Sequence, residues 1–407
     1  MRYFSVEQQT LLILLRQTLW QKSNNLPDRV DWRLLDTMAK QQGVLPLVYD
    51  AAVALKAELP DDVLEKWNKL TIASVIRNQR MLSAQKKVLM WFEEALIPAV
   101  VLKGSSVARY YPNPDLRVLG DIDILIPQTH VANVQKILLE NGYALRESDH
   151  DFHLGFSKSG ILLEIHYDVT HLPDCPGREC VLEETKRFLD HIDRASVLGY
   201  SFPVLDQPQQ ALMLLLHMVR HTIDGGIGLR QLSDWAMYMA CTDVDRFVAH
   251  TAPIMKQCGL LRYAQVATAA CVRYLGLSEK CASWCESVTD DDSRAFMEDV
   301  FAGGNMGDAD SEKLGRALAR GSVTTQGKTY IRMLIAGLSE AANNAFPATR
   351  KHKWLIPFFW IYLPIRYLLR SLFGMREKKS IFVAAQNAKH KQEYYERLAL
   401  FQTKTEC

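Results

Sequence analysis

The sequence predicts an α+β protein in which a small mixed-sheet α/β domain is flanked by N-terminal and C-terminal helical regions. Apolar residues recur at helical spacing before residue 96 and again after residue 205. Between them, short β-branched runs alternate with helical segments, as in a small domain that mixes strands and helices. With 407 residues, the chain is long enough for more than one domain. The predicted parts are an N-terminal helical region (1–96), an α/β domain (97–204), a helical domain (205–345) and a basic, aromatic C-terminal helical segment (346–407).

The composition is that of a globular protein, but the charge is unevenly distributed. Hydrophobic residues make up 48% of the chain, and the net charge is +2. Residues 351–407 hold 11 Lys and Arg against 4 Asp and Glu, a net of +7, which leaves −5 for the other residues. The first 350 residues have no basic or aromatic-rich face, which argues against a long nucleic acid as partner. The basic C-terminal segment predicts a partner of its own.

The cysteines and the N-terminal sequence indicate the cellular compartment of the protein. The eight cysteines form neither a dense disulfide framework nor a zinc-knuckle spacing, so reduced and buried thiols are expected. Acidic and polar residues interrupt the apolar N-terminal run, and no small-residue cleavage site follows it, which indicates an amphipathic helix instead of a signal peptide. These features predict a cytoplasmic protein.

The elements of the predicted α/β domain follow one another in a clear order. The run "IPAVVLKG" predicts a strand that ends in Gly104, and Ser105 is the expected N-cap of a short helix after it. "DIDILIP" predicts a strand that Pro127 ends, and "THVANVQKILLENGY" predicts a helix. "DFHLGFSKSGILLEIHYDV" predicts a hairpin of two strands around a Ser-Lys-Ser-Gly turn.

Two aspartates interrupt the strand "DIDILI". Because side chains alternate between the faces of a strand, Asp121 and Asp123 point the same way while the neighbouring isoleucines point into a core. Two carboxylates about 4 Å apart repel by roughly 4 kcal/mol at an effective dielectric constant near 20, so they need a cation, a shared proton or full exposure. Glu164 alternates with apolar residues on a neighbouring predicted strand. Three oxygen ligands on one face suit Mg²⁺ or Mn²⁺.

A phosphate-binding turn is predicted upstream of the aspartates. Gly104 and Ser105 lie where a strand ends and a helix begins; backbone N–H groups there attract phosphate, and glycine permits a close approach. This turn, the Asp-x-Asp strand and the third carboxylate together predict a metal-dependent site that transfers a nucleoside monophosphate from a nucleoside triphosphate (NTP) to a hydroxyl group. Asp121, Asp123 and Glu164 would bind the metal, with Glu164 or Asp123 also available as general base.

These residues resemble a known family, the uncharacterised bacterial nucleotidyltransferases of the polymerase-β-like superfamily. Its pattern of "LKG", "YP", Arg and "DIDILV" is similar to Leu102–Gly104, Tyr111–Pro112, Arg117 and Asp121–Ile126. Further similarity in "LPLVYDAA", "LLEIHYDV", "LLLHMVRHTIDGGIGLRQLSDWAMY" and "FAGGNMG" extends the resemblance over residues 10–345. The resemblance implies a minimal nucleotidyltransferase sheet with helical flanks and metal-binding aspartates. The fifteen residues between Ser105 and Asp121 are more than typical members of the superfamily have.

Two basic residues bracket the predicted site. Lys103 and Arg117 suit the neutralisation of a triphosphate, for which the arginine fork is well matched. The alternative for Arg117 is an ion pair with Asp115 or with one of the acids of the site.

A helical motif downstream carries further candidates. In "HMVRHTIDGGIGLRQLSDW", His217 and His221 are four residues apart, as are Arg230 and Asp234. No glutamate follows the first histidine, so the motif of zinc proteases is not indicated. We expect His221, Arg230 and Asp234 to line the cleft that faces the α/β domain and to contact the nucleotide or the acceptor. The alternative is a structural Arg–Asp pair.

A second set of potential ligands surrounds the predicted hairpin. Glu164, His166 and Asp168 share one strand face by the period of two. This pattern supports a metal-dependent phosphohydrolase as an alternative function. A non-catalytic nucleotide- or partner-binding protein on the same scaffold is another alternative, and the three clustered carboxylates count against it. The full set is His150, Asp151, His153, His166, Asp168 and His171.

The C-terminal run "WLIPFFWIYLPIRYLLRSLFGMREKK" is apolar and aromatic with basic residues at one end. Only 12 residues, 354–365, pass without a charge, which is too short to span a bilayer. The favoured interpretation is a helix that packs on the helical domain and leaves its basic end in solvent. The alternative is an interfacial helix over residues 354–379 that contacts the inner face of an anionic membrane, which the aromatic residues with basic residues on one side match.

Overall fold

A computed structural model describes most of the chain up to residue 304 and parts of the remainder. The described residues form a mixed α/β structure with 13 α-helices and one seven-stranded sheet, which confirms the predicted fold class. Among these residues, no helix combines the length and the apolar character needed to cross a bilayer. The described residues are 3–22, 25–146, 152–169, 175, 177–224, 226–304, 339, 342, 346, 349, 352–362, 394–395 and 397–401.

Helices dominate both ends of the described chain, and strands occupy its middle. The α-helices are α1 (Val6–Trp20), α2 (Trp32–Gln41), α3 (Leu45–Ala54), α4 (Asp61–Glu94), α5 (Ser105–Ala108), α6 (Val131–Glu140), α7 (Arg178–Lys186), α8 (Gln207–Asp224), α9 (Leu229–Ala240), α10 (Val244–Arg246), α11 (Ala252–Gln257), α12 (Leu261–Ala270) and α13 (Asp290–Gly303). The strands are β1 (Val100–Val101), β2 (Ile122–Leu125), β3 (Ala144–Arg146), β4 (His153–Lys158), β5 (Ile161–His166), β6 (Ile192–Val197) and β7 (Tyr200–Leu205).

Side-chain caps begin several of the helices. The Ser5 hydroxyl accepts from the backbone N–H of Gln8 at 3.2 Å, while the Gln8 side chain accepts from the backbone N–H of Ser5, so that α1 begins with a capping box. The Asp31 carboxylate accepts from two backbone N–H groups at the start of α2. Helix α5 differs from the expectation, because Gly104 occupies the N-cap and Ser105 is the first helical residue.

The sheet is mixed, with the strand order β3-β4-β5-β2-β1-β7-β6. The pairs β2–β5 and β1–β7 are parallel, and the other pairs are antiparallel. The predicted hairpin is present as β4–β5, and its two-residue turn has positive φ at both Ser159 (50°) and Gly160 (78°). A second hairpin, β6–β7, was not predicted. Its two-residue turn, Leu198–Gly199, also has positive φ at both residues (51° and 81°).

Opposite faces of β2 have opposite character. Ile122, Ile124 and Ile126 are buried, as predicted, in an apolar cluster that α4 and α6 cover. A second, larger cluster joins α1 and α3 to the helices after residue 207. Asp121 and Asp123 lie on the face of β2 turned away from the cluster that α4 and α6 cover, and Arg230 of α9 lies close to Gly120, the residue before Asp121.

The loop before β2 is held by α4. Asn78 is buried; its amide donates to the carbonyl oxygens of Asp115 at 2.8 Å and Arg117 at 2.9 Å, and its side-chain oxygen accepts from Leu119 N–H at 3.0 Å. Arg77, one residue earlier, donates to the carbonyl of Gly120. Four hydrogen bonds between α4 and the backbone of residues 115–120 therefore fix the loop that leads into Asp121.

Candidate active site

The three predicted acids lie on two neighbouring parallel strands. In the β2–β5 register, Asp123 is directly beside Glu164. Asp121 comes immediately before β2 and, by the two-residue period, shares the face of Asp123. One carboxylate oxygen of each acid lies within 4.8 Å of the others. The sheet thus brings together Asp121, Asp123 and Glu164 as one group.

Two cationic or protonatable side chains contact Asp123. The distance from Lys103 Nζ to Asp123 Oδ1 is 3.1 Å, and that from His166 Nε2 to the same oxygen is 3.0 Å. The other oxygen, Oδ2, is buried and has no hydrogen-bond partner among the described residues. Because a buried carboxylate oxygen without a partner is costly, this atom is a candidate metal ligand.

The charges of the site shift the pKa values of its members. Burial alone would raise the pKa of Glu164, but the hydrogen bond from His166 and the positive charge of Lys103 lower it to about 2. Burial would lower the pKa of Lys103, whereas the charges of Asp123 and Asp121 raise it. Burial also opposes protonation of His166, and its hydrogen bonds to Asp123 and Glu164 move its pKa upward. Glu164 is therefore ionised at neutral pH, and Lys103 is charged.

The donor set fits a divalent cation that prefers oxygen. Three carboxylates lie together, and Lys103 pairs with one of them, Asp123. Asp123 Oδ2 supplies a buried oxygen with no other partner among the described residues. These features suit Mg²⁺ or Mn²⁺ bound through Asp121, Asp123 and Glu164.

Arg117 is bound by Asp234 in a buried pair. Its Nε and Nη2 donate to the two oxygens of Asp234 at 3.1 and 2.6 Å, and Tyr111 Oη donates to Asp234 Oδ1 at 2.7 Å. Burial would lower the pKa of Arg117, but the charge of Asp234 raises it above its ordinary value. The pair connects the loop before β2 to α9. The carboxylate partner of Arg117 is therefore Asp234. It is neither Asp115 nor one of the three acids, which were the partners considered as the alternative to a triphosphate contact.

Arg230 lies close to the acids without such a partner. A Cβ atom built on Gly120 would lie 3.7 Å from Arg230 Nη1, which places the guanidinium beside the residue that precedes Asp121. Its Nε is buried without a hydrogen-bond partner, and no ion pair to Arg230 is found in the part of the chain that the structure describes. Burial, and then the positive charge of Arg117, lower the pKa of Arg230. An arginine remains charged despite such a shift.

The two histidines of α8 contact each other. The Nε2 atoms of His217 and His221 are 3.1 Å apart. Burial, followed by the positive charge of Lys103, lowers the pKa of His217 well below its usual value, and Arg230 and Arg220 add to this effect. Basic groups of α8 and α9 thus lie close to Lys103 and to the three acids.

The predicted phosphate-binding turn has an unusual backbone. Gly104 has φ 70° and ψ −105°, a conformation that residues other than glycine rarely adopt. The Ser105 hydroxyl is buried and donates to Gln85 Oε1 at 2.6 Å, so this hydroxyl is already used in a contact with α4. Any contact of Ser105 with phosphate would then come from its backbone N–H.

Comparison with known protein families identifies the chain. The profile of a family described as "uncharacterised nucleotidyltransferase" matches residues 28–276. The chain belongs to this family. The match covers every strand of the sheet, all three acids and both α8 and α9. Comparisons with curated proteins and with solved structures gave no match.

Membership of the nucleotidyltransferase family supports a transferase activity for this protein.

Several residues around the three acids were not among the predicted site residues. Tyr111 and Gln85 act through partners on distant segments, which no local pattern reveals. His153 and His166 were noted only for the alternative chemistry; the pairing of His153 with His166 in the β4–β5 register could have drawn attention to both.

The other predicted ligands near the hairpin do not join the group. Asp168 is exposed, and its Oδ1 accepts from the backbone N–H of Val169 at 2.7 Å. His150, Asp151 and His171 lie outside the described residues.

Proposed function

We propose that this protein is a metal-dependent nucleotidyltransferase that moves a nucleoside monophosphate from an NTP to a hydroxyl group of an acceptor. The observation that carries the proposal is the parallel β2–β5 register, which sets Asp123 beside Glu164 with Asp121 next to them, in a member of a nucleotidyltransferase family.

In this proposal, Asp121, Asp123 and Glu164 hold Mg²⁺ or Mn²⁺. A bound divalent cation would lower the pKa of the acceptor hydroxyl and offset phosphate charge. Because the pKa of Glu164 is about 2, its carboxylate is a weak base and suits the role of ligand. Lys103 holds Asp123 in place through its contact with Oδ1.

The nucleotide would bind between the acids and the helices α8 and α9. Arg230 is the strongest candidate for a triphosphate contact, because its guanidinium is near Asp121 and is not engaged by a carboxylate of the described chain. Gly104 and the backbone N–H of Ser105 would approach the phosphates. Arg117 and Asp234 would support this arrangement as positioning residues. His221, held by its contact with His217, would contact the nucleotide or the acceptor.

A test of nucleotide and metal binding separates this proposal from its alternatives. Thermal unfolding would be followed with each NTP, with and without Mg²⁺ or Mn²⁺, for the wild type and for Asp121→Asn/Asp123→Asn. A ligand at 100 times its Kd adds about 2.7 kcal/mol to the free energy of unfolding. We expect one NTP to stabilise the wild type only with metal, and the double variant to lose this response. Asp290→Asn/Asp291→Asn, which changes two exposed acids of α13, is the matched control and should keep it.

The other outcomes point elsewhere. Stabilisation by metal without any response to nucleotide would overturn nucleotidyl transfer and favour the phosphohydrolase, which His153 and His166 beside Glu164 would support. Stabilisation by an NTP with no release of pyrophosphate across a broad screen of hydroxyl acceptors would favour a non-catalytic nucleotide-binding protein.

We also propose that the C-terminal segment 354–379 contacts an anionic membrane at its cytoplasmic side. The support comes from residues 353–362, a helical stretch on which Trp354, Phe358 and Ile361 are 77%, 65% and 67% exposed at helical spacing. Residues 363–379 lie outside the described chain.

Vesicle binding tests this membrane contact. The wild type should sediment with vesicles that contain phosphatidylserine, and Trp354→Ser/Phe358→Ser should reduce the bound fraction. The control Leu96→Ser removes another highly exposed apolar side chain, 86% exposed, and should leave binding unchanged. Equal binding of the double variant and the wild type would contradict the proposal.

A further inference from the structure

The face of the sheet that carries the acids also carries a group with nitrogen ligands. His153 and His166 are opposite each other in the antiparallel β4–β5 register, and Glu164 precedes His166 by two residues on the same strand face. Glu164 Oε1 is 3.8 Å from His153 Nε2, and Glu164 Oε2 is 3.3 Å from His166 Nε2. One ligand atom from each of the three residues lies within 4.8 Å of the others.

The chemistry of this group differs from that of the three acids. Two imidazoles and one carboxylate are a donor set that Zn²⁺ and other first-row transition metals prefer. Mg²⁺ prefers oxygen ligands and retains water, so it gains little from imidazole. From the geometry and the donor set, we infer a second metal position, formed by His153, Glu164 and His166, that takes a divalent transition metal.

Burial and electrostatics of the surrounding site support this position. The side chains of His153 and His166 are 8% and 5% exposed, whereas that of Glu164 is 29% exposed, so the group opens toward solvent at the carboxylate. Asp123, whose Oδ1 contacts His166 Nε2, has a second, fully buried oxygen without a hydrogen-bond partner in the described chain. This buried oxygen, already a candidate ligand of the Mg²⁺ or Mn²⁺ site, lies on the carboxylate that contacts His166, so the two metal positions would adjoin each other.

Metal binding would change the proton arrangement of His166. In the structure, Nε2 of His166 lies within hydrogen-bond distance of Asp123 Oδ1 and Glu164 Oε2. A metal bound at Nε2 would replace the proton on that nitrogen. The carboxylates of Asp123 and Glu164, which face this proton, would then face the metal ion. The inference rests on the proposed function only in that Glu164 belongs to both groups.

Titration with Co²⁺ alone tests the inference on the full-length protein after removal of metals with EDTA. We expect the tightest-bound equivalent of Co²⁺ to occupy the histidine position in the wild type, with a visible absorption band from its d–d transitions. His153→Gln and His166→Gln should each weaken Co²⁺ binding by tenfold or more, because each removes one of three protein ligands. His250→Gln, a change of an exposed histidine, is the matched control and should bind as the wild type does.

Two further measurements keep the result interpretable. Asp121→Asn lies outside the histidine group, so it should keep Co²⁺ binding while it loses the stabilisation by NTP and Mg²⁺; this separates failure of the second metal position from failure of the proposed function. X-ray absorption of the Zn²⁺-loaded wild type should show two imidazole nitrogens at about 2.0–2.1 Å, which requires no variant to fold. Oxygen-only coordination, or unchanged Co²⁺ affinity in both histidine variants, would overturn the inference.

Discussion

Two arginines near Asp121, the buried Arg117 and the half-buried Arg230, have different surroundings. Arg117 shares both oxygens of Asp234, whereas Arg230 has an unpartnered Nε and no ion pair in the described part of the chain. Burial and the neighbouring charge of Arg117 disfavour the Arg230 cation, and the charges of Asp234 and Asp121 offset them only in part. Such an arrangement is typical of a site where an anionic ligand supplies the missing charge.

The first prediction at the residue scale concerns Arg230. Arg230→Gln should raise the Kd for the bound NTP by about 10- to 100-fold, which corresponds to the loss of a charge-assisted hydrogen bond of about 1.5–3 kcal/mol. The free energy of unfolding should stay the same or rise, because burial and the charge of Arg117 already disfavour the cation that the variant removes. Calorimetric titration and urea unfolding measure the two quantities. Arg187→Gln, a change of an exposed arginine that pairs with Glu184 of α7, is the matched control; equal affinities of the two variants would contradict the assignment.

Single residues also show how far the sequence could predict the site. Alternation along one strand was enough to place Asp121 and Asp123 on one face, and Glu164 was found by the same rule because it too alternates with apolar residues. The partner of Arg117 could not be found in this way. Asp234 is 117 positions further along the chain, and only the packing of α9 against the loop before β2 brings them together.

At the scale of elements, strands with regular alternation were predicted and one hairpin was not. In β7, Pro203 interrupts an otherwise strand-like run, and a proline inside such a run argues against a strand because it lacks a backbone N–H. The structure nonetheless pairs Pro203 with Arg194 of β6. The N-cap of α5 was placed one residue late, since the backbone of Gly104, with φ 70°, cannot be read from residue types alone.

A carboxylate that joins α2 to α4 provides a prediction on pH. Asp36 accepts from Lys40 and Lys66 at 2.8 Å and from Trp67 Nε1 at 2.9 Å. Burial would raise the pKa of Asp36, but these hydrogen bonds lower it below its ordinary value. A lowered folded-state pKa stabilises the protein above the unfolded-state value, and this contribution disappears as the pH falls through the folded-state pKa.

Asp36→Asn should therefore lower the free energy of unfolding at pH 7 by about 1 kcal/mol, a modest value because Lys40 and Lys66 are partly exposed. The difference from the wild type should shrink as the pH falls below about 4. Urea unfolding at a series of pH values measures it. Asp62→Asn breaks an exposed pair between the same two helices and should cost less than about 0.5 kcal/mol. A difference that grows on acidification would disprove the role of Asp36.

At the scale of the whole molecule, one apolar cluster includes residues from both helical parts. It contains Leu11 and Leu15 of α1 together with Trp235 of α9 and Tyr263 of α12. Arg16 of α1 also donates to the carbonyls of Arg273 and Tyr274. Sequence periodicity identified these helices but not this contact, because the pattern of a helix shows which face is apolar and not which other helix covers it.

The Arg117–Asp234 pair links the sheet region to the helices and yields a prediction on stability. Arg117→Met should cost about 3–5 kcal/mol of unfolding free energy, because it leaves Asp234 buried with only Tyr111 as side-chain partner among the described residues. Arg117→Met/Asp234→Leu should cost less than the sum of the two single variants by about 1–3 kcal/mol. Urea unfolding of the four proteins gives this coupling energy. The exposed pair Lys136–Glu140 is the control, with a coupling below about 0.5 kcal/mol; additivity for the buried pair would contradict the prediction.

The Ser159–Gly160 turn determines how β4 and β5 align, although it lies at the end of the hairpin away from His153 and His166. Its two residues fix which side chains of β4 and β5 face each other, and the last of these pairs is His153 with His166. A Cβ at Gly160 would meet no atom within 4 Å, yet φ of 78° disfavours any side chain there. A side chain at this exposed glycine would therefore strain the turn that sets the alignment of β4 with β5, and with it the pairing of His153 and His166 at the far end of the hairpin.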